Sequence, residues 1–123
     1  MSDEELPHDV MELVRRYIHS VAQLEALLFF HERPGERWDV ESLSKRLYAG
    51  KAEMADALAT LRRDGFLEGG PALYEFAPRS ELRAAVEALR KAYSRHLIPI
   101  TYIIHTKPRR IQAFSDAFRI RKD

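Results

Sequence analysis

Apolar residues recur at intervals of three and four along most of this chain, the spacing that lines one face of an α-helix. A first amphipathic helix is predicted over residues 9–18. A second is expected to begin near Val21, because Ser20 and Gln23 have the spacing of a capping box, in which each side chain bonds the backbone N–H of the other. Its apolar face is broad enough for a central core helix, and Pro34-Gly35 ends it. The apolar positions are Val10, Leu13, Val14, Tyr17 and Ile18, then Val21, Leu24, Leu27, Leu28 and Phe30.

Two closely spaced helices are predicted after a short extended piece that contains Trp38. Asp39 is expected to cap the first of them, and Gly50 separates it from the second. Asp64-Gly65 ends the second helix, and two runs of strand character around Gly69-Gly70-Pro71 predict a tight hairpin. The inward residues of the helices are Val40, Leu43 and Leu47, then Met54, Leu58 and Leu61; the two runs are Phe66-Leu67-Glu68 and Leu73-Tyr74-Glu75-Phe76.

The last third of the chain returns to a helical pattern. Ser80 is expected to cap a long helix. Pro99 predicts a kink or break near residues 96–98, because a proline inside a helix removes one backbone hydrogen bond and clashes with the preceding turn. Lys107-Pro108 is a stronger stop. The stripe of the long helix is Leu82, Val86, Leu89, Tyr93 and Leu97, and helical spacing resumes after the stop at Ile111, Phe114, Ala117 and Phe118.

Composition narrows the class of protein. The chain has 123 residues and no cysteine, which suits one compact domain and excludes disulfides, thiolate zinc sites and cysteine nucleophiles. Its formal net charge is only +1, so contact with nucleic acid has to rest on a local basic patch. The beginning, MSDEEL, is acidic where a signal peptide is basic and then apolar, and no apolar stretch approaches ~20 residues. We therefore expect a cytoplasmic protein that does not enter membranes.

Charge is distributed unevenly along the chain. Residues 1–41 hold four arginines and ten acidic residues, whereas residues 107–123 hold six basic and two acidic ones. Three interpretations of these ends follow: they pair with each other within the fold or across a dimer, the basic end contacts phosphate, or both are solvated chain ends.

The order helix, short strand, helix, tight turn, helix and hairpin is that of a winged helix-turn-helix. Residues 42–67, SLSKRLYAGKAEMADALATLRRDGFL, resemble the bacterial winged-helix regulators of the MarR group. The resemblance extends over about residues 21–77, roughly half of the chain. The matching positions are Leu43 and Leu47, Ala49-Gly50 in the turn, Met54, Leu58 and Leu61, and Asp64-Gly65-Phe66-Leu67 at the entry to the wing.

This resemblance implies a mainly α-helical fold with a small β-hairpin, a winged helix-turn-helix with N- and C-terminal helical extensions. Residues 1–19 would form the N-terminal extension, residues 20–78 the winged helix-turn-helix, and residues 79–123 the C-terminal helices and basic tail. The C-terminal helix is expected to mediate a homodimer, because its apolar stripe exceeds what one small winged helix needs to cover itself. The implied function is transcriptional regulation by binding duplex DNA.

A helix-turn-helix reads DNA with the outward residues near the start of its second helix. On that face Glu53 and Asp56 would oppose a polyanion, and the wing loop at residues 68–72 has no basic side chain for a minor groove. The DNA-binding candidates are Lys51 and Thr60 in the groove, with Lys45, Arg46, Arg62 and Arg63 as clamps on phosphate.

The two acidic residues keep a second class of function open. In this alternative the same fold is a protein interaction module without specific DNA binding, and Glu53 and Asp56 form the contact face for a basic partner. Selection of bound fragments from random duplex DNA would separate the two classes.

Enzymatic and metal chemistry are not expected. The five histidines include no pair at the i, i+3 or i, i+4 spacing of helix-borne metal ligands. Neither a phosphate-binding glycine loop nor a nucleophile elbow occurs, and no cofactor is implied. The aromatic and histidine residues of the C-terminal helix fit packing better than a ligand crevice; they are Tyr93, His96, Tyr102 and His105.

Overall fold

The computed structural model describes residues 6–106, in which six helices pack with a small antiparallel sheet. The elements are α1 (His8–Tyr17), α2 (Val21–His31), β1 (Arg37–Trp38), α3 (Val40–Arg46), α4 (Lys51–Arg63), β2 (Leu67–Gly69), β3 (Tyr74–Phe76), α5 (Ser80–Tyr93) and α6 (Leu97–His105). A mainly helical chain with a small β-hairpin is therefore confirmed. Residues 1–5, with the acidic run at 3–5, and residues 107–123, with the basic end and the helical spacing predicted at Ile111 to Phe118, lie outside the described range.

Helix α2 forms the centre of the core. Eight of its eleven residues are buried, which is a wider apolar surface than the single face that the spacing predicts. The helix packs against α4, α5 and β3. A helix that is apolar on all sides has to be enclosed by other elements, and α2 therefore determines where its neighbours lie.

The joint between α1 and α2 depends on one buried amide. The Ser20 hydroxyl accepts a hydrogen bond from the Gln23 backbone N–H at 3.1 Å, as expected for the cap. The reciprocal half of the predicted capping box is wrong: Gln23 Oε1 accepts from the His19 N–H at 3.0 Å, and Gln23 Nε2 donates to the Tyr17 carbonyl at 2.6 Å. Gln23 is 2% exposed, so both ends of its amide need partners, and the last carbonyls of α1 have none within their own helix.

The sheet has three strands in the order β1-β3-β2. The predicted hairpin is confirmed, with Leu67 opposite Phe76 and Glu68 opposite Glu75. The extended piece at Trp38 is a third strand, since Trp38 lies opposite Tyr74. At the tip, Gly70 has a φ of +84° and lies against the Tyr74 ring, so a side chain at this position would collide with that ring.

The break in the C-terminal helices is confirmed, and it falls at residues 94–96. Pro99 therefore occupies the first turn of α6, where its missing N–H leaves no helical carbonyl unpaired. The predicted cap at Ser80 is wrong, because Ser80 is already the first residue of α5 and no side chain caps this helix.

The apolar stripe of α5 is largely buried within the single chain, so it is not available to a second copy. Leu82, Val86 and Leu89 are 6%, 0% and 0% exposed within the single chain, where α1 packs along α5. The expected excess of apolar surface on this helix is therefore wrong, because the amphipathic α1 already covers it. Of the other two stripe residues, Tyr93 is half-buried and Leu97 is 43% exposed.

Leu58 tests the register of α4. It is 0% exposed in a helix that packs against both α2 and α3. We expect Leu58→Ala to lower the free energy of unfolding by about 2–5 kcal/mol, because transfer and cavity terms add. Chemical denaturation measures this loss. The control is Leu73→Ala on the hairpin, where the side chain is 45% exposed. A loss below about 1 kcal/mol at Leu58 would contradict the register.

Candidate nucleic-acid interface

Helix α3 begins at a charged cap. The Asp39 carboxylate accepts a hydrogen bond from the Ser42 backbone N–H at 2.7 Å, which confirms the predicted N-cap. This bond, together with the Ser42 hydroxyl and the positive charge of Lys45, lowers the pKa of the Asp39 carboxyl. The carboxylate also favours the positive end of the helix dipole, so α3 has a defined start.

The turn between α3 and α4 depends on a left-handed residue. Tyr48 has a φ of +57° and is 96% exposed, and the Ala49 N–H behind it donates to the Ser44 carbonyl at 2.9 Å. Gly50 has a φ of −64° and is the N-cap of α4. The left-handed residue at this helix end is therefore a tyrosine, whereas glycine or asparagine is usual there.

The outward face of α4 carries small side chains at its centre. Met54, Ala57, Leu58 and Leu61 are buried and fix the helix on the core. Ala52, Ala55 and Ala59 are exposed on the opposite side, at the spacing of one helix face. This face therefore lets another molecule approach the helix backbone closely.

Within residues 6–106, three of the predicted phosphate or groove residues are held only by ion pairs at the surface. Lys45 Nζ lies 3.5 Å and Lys51 Nζ 3.8 Å from the two oxygens of the Glu41 carboxylate. Arg63 Nε lies 3.4 Å from Asp64 Oδ1. Pairs of this kind contribute about 0–1 kcal/mol, so these cations can exchange their partners at little cost.

The other two arginines of the predicted set have structural contacts. Arg62 Nε donates to the Gly69 carbonyl at 2.6 Å and so ties the end of α4 to the hairpin. The Arg46 guanidinium lies 5.6 Å from the centroid of the Phe29 ring. Both side chains belong to exposed residues, and their contacts leave other N–H groups free for an anion.

A depression of about 350 Å³ lies between α4 and the α1–α2 joint. Glu53, Asp56 and Thr60 line it from α4, and Ser20 and Gln23 line it from the other side. The two acidic residues of the alternative contact face are thus brought together. Thr60 is half-buried beside them, which makes it the least accessible of the six DNA-binding candidates.

The tip of the hairpin carries no cation. Residues 70–73 are Gly, Pro, Ala and Leu, and the strands carry Glu68 and Glu75 directly opposite each other. Arg37 Nε, in the neighbouring strand, lies 3.2 Å from Glu75 Oε1. Any DNA contact by this hairpin therefore lacks the basic residue that usually enters a minor groove.

No family model, curated protein or solved structure matches the chain, so its function has to be inferred from its own residues. Across residues 6–106, no three side chains of metal-ligating type converge. None of the helices in this range is long and apolar enough to cross a membrane.

The cap of α3 predicts a pH dependence. Because the pKa of Asp39 in the folded protein lies below its ordinary value of 3.8, the ionised carboxylate stabilises the fold above that value. This stabilisation is lost as the pH falls through the folded pKa. A carboxyl ¹³C titration is expected to give a lower midpoint for Asp39 in the native protein than in urea, and equal midpoints would contradict the cap. The Asp39→Asn variant is expected to lose less of its free energy of unfolding than wild type does as the pH falls into the acid range.

Proposed function

We propose that this protein is a DNA-binding transcriptional regulator in which α3, α4 and the β2–β3 hairpin act as a winged helix-turn-helix. The observation that carries the proposal is the outward face of α4, which is exposed, has alanines at its centre and has basic residues near both ends. A helix of this kind can enter a major groove without steric obstruction, and alanine suits contact with thymine methyl groups. The proposal includes a cytoplasmic location and needs neither catalysis nor a cofactor.

Each candidate residue has a distinct role in this proposal. Lys51 begins the recognition helix and reaches a base edge or a phosphate, and Thr60 contacts the edge of the groove. Phosphates replace Glu41 as the partner of Lys45, since a surface ion pair is weak and counterion release favours phosphate. The remaining clamps on the phosphate backbone are Arg46, Arg62 and Arg63.

The proposal predicts how charge changes alter duplex binding. Labelled random-sequence DNA is titrated at two salt concentrations with wild type, with Arg62→Gln/Arg63→Gln and with Glu53→Gln/Asp56→Asn. The arginine variant is expected to bind all sequences more weakly, with a salt slope shallower by about one unit for each phosphate that is no longer neutralised. The acidic variant is expected to bind more tightly, because two negative charges near phosphate are removed.

Lys91→Gln/Arg95→Gln is the matched control, because it also removes two charges, from exposed residues at the end of α5 and just beyond it that are not among the DNA-binding candidates. Thermal melts of each variant distinguish weaker binding from weaker folding, which matters at Arg62 because it also bonds the hairpin. A wild-type protein that binds no duplex at ~50 mM salt, where counterion release most favours association, would contradict the proposal.

A second function is favoured by the depression at α4. Glu53 and Asp56 line it together with Thr60, and Arg63 is the one lysine or arginine in the lining among the described residues, so the depression can bind a basic side chain of a partner protein. In a protein interaction module of this kind, Glu53→Gln/Asp56→Asn abolishes the complex with a basic partner. Duplex binding then stays negligible in wild type and variants alike, which is opposite to the result expected for a regulator.

We also propose that the regulator is a homodimer formed through α6. Ile98 and Tyr102 are 75% and 67% exposed on successive turns of this helix, and Leu97 beside them is 43% exposed. Large apolar side chains grouped in this way are typical of interaction surfaces. The dimer would place two recognition helices on one duplex, as in other regulators of this architecture.

The dimer is tested by light scattering. The wild-type chain is expected to have about twice the monomer mass of 14.3 kDa, and Ile98→Glu/Tyr102→Glu is expected to be monomeric because two charges would be buried in the interface. Leu73→Glu, at an exposed apolar residue of the hairpin, is the control and should remain a dimer. A monomeric wild type refutes the proposal.

A further inference from the structure

A groove of about 490 Å³ lies where α2, the end of α3 and α5 meet. It is separate from the outward face of α4 and from the acidic depression, with which it shares no lining residue. Leu28, Phe29 and Leu47 give it apolar walls, and three arginines and two glutamates also line it. An apolar groove with a few converging charges has the general character of a binding site.

Two of the arginines in the groove converge on one aromatic ring. The Arg33 guanidinium lies 3.9 Å and the Arg46 guanidinium 5.6 Å from the centroid of Phe29. Within residues 6–106 neither has a carboxylate within 4 Å, whereas Arg90 is paired with Glu32. Three arginines against two glutamates leave the groove with one positive charge in excess, and Arg33 and Arg46 have no ion-pair partner among the described residues, so an occupant of this groove should be acidic.

Two tyrosines border the same groove. Tyr48 is 96% exposed and is held in the left-handed region, which costs a residue with a side chain roughly 1–2 kcal/mol. That backbone conformation projects a large aromatic ring into solvent beside Arg46. On the opposite side, burial and the nearby Glu25 raise the pKa of Tyr93, so its hydroxyl remains a neutral hydrogen-bond donor.

The only three consecutive acidic residues in the sequence are Asp3, Glu4 and Glu5, directly before the described range. The end of α1 lies at the start of α5, because the Tyr17 ring is 5.3 Å from the Phe66 ring and the Phe66 carbonyl accepts from the Ala77 N–H. Since α1 packs along α5, the start of α1 lies toward the last turns of α5, where Arg90 and Tyr93 line the groove. Asp3, the farthest of the three, is three residues before Leu6, and three extended residues reach about 10 Å from this point.

We propose that the acidic segment at residues 2–5 binds in this groove of its own chain, with its carboxylates on the guanidinium groups of Arg33 and Arg46. Tyr48 covers the bound segment from the rim. The docking itself does not depend on the proposed function. One consequence does rest on that function: Arg46 is also a proposed phosphate clamp, so the segment competes with DNA for this side chain.

The test compares backbone ¹⁵N spectra of the full chain with and without the acidic charges. Asp3→Asn/Glu4→Gln/Glu5→Gln is expected to shift the signals of Phe29, Arg33, Arg46 and Tyr48. In the reverse direction, Arg33→Gln/Arg46→Gln is expected to shift the signals of residues 2–5. Arg83→Gln, an exposed arginine of α5 outside the groove, is the control and should leave those signals in place.

The acidic variant leaves residues 6–106 unchanged, so it remains informative even if the double arginine variant folds poorly. If these chemical-shift changes are absent, or cluster at other residues, the proposal is wrong. The occupant of the groove would then be an acidic segment of another protein. Shifts that disappear on dilution would also overturn the proposal, because they would mean that the segment comes from a second copy. Since no DNA is present, failure of this test is distinct from failure of the proposed function.

Discussion

Enclosure of α2 is the constraint on which the other parts of the fold depend. Leu24, Phe29 and Phe30 are 0%, 7% and 0% exposed, although they point in different directions around the helix. Full burial of each such side chain stabilises the fold by about 1.5–3 kcal/mol. A single neighbouring element covers only one side of the helix, so several elements are needed to bury them all. Helices α4 and α5 and strand β3 therefore pack around α2. The orientation of the α3–α4 pair relative to the hairpin therefore depends on the need to bury the apolar side chains of α2.

The same core separates two chemically different surfaces. The inward side of α4 is fixed by Met54 and Leu58, whereas its outward side combines three alanines with Lys51 and the acidic pair. At the groove, by contrast, two arginines lie near the Phe29 ring without a carboxylate partner among the described residues. The groove is lined by three arginines and two glutamates, whereas the depression beside α4 is lined by two acidic residues and Arg63, so the two surfaces have opposite net charge. Partner choice depends on these outer side chains and not on the core.

Local signals were sufficient for most helices and for the hairpin. The caps at Ser20 and Asp39 depend on residues three positions apart, so they are readable from the sequence. The contacts that the sequence did not predict connect distant segments: β1 with β3, and α1 with the stripe of α5. For the candidate site, helical spacing correctly predicted that Lys51, Glu53 and Asp56 face outward, whereas Thr60 is half-buried. It could not predict that Tyr48 adopts the left-handed conformation, since a glycine normally marks that position.

The single tryptophan of the chain lies where the sheet meets the central helix. Trp38 is half-buried in β1, its ring packs edge-on against Phe29 at 4.9 Å, and its Nε1 donates to Glu36 at 3.0 Å. Its fluorescence therefore reports on this one joint, while far-ultraviolet circular dichroism is dominated by the helices. If the two signals change together on heating, the sheet and the helices unfold as one cooperative unit. If fluorescence changes first, the sheet opens from α2 as a separate, less stable unit.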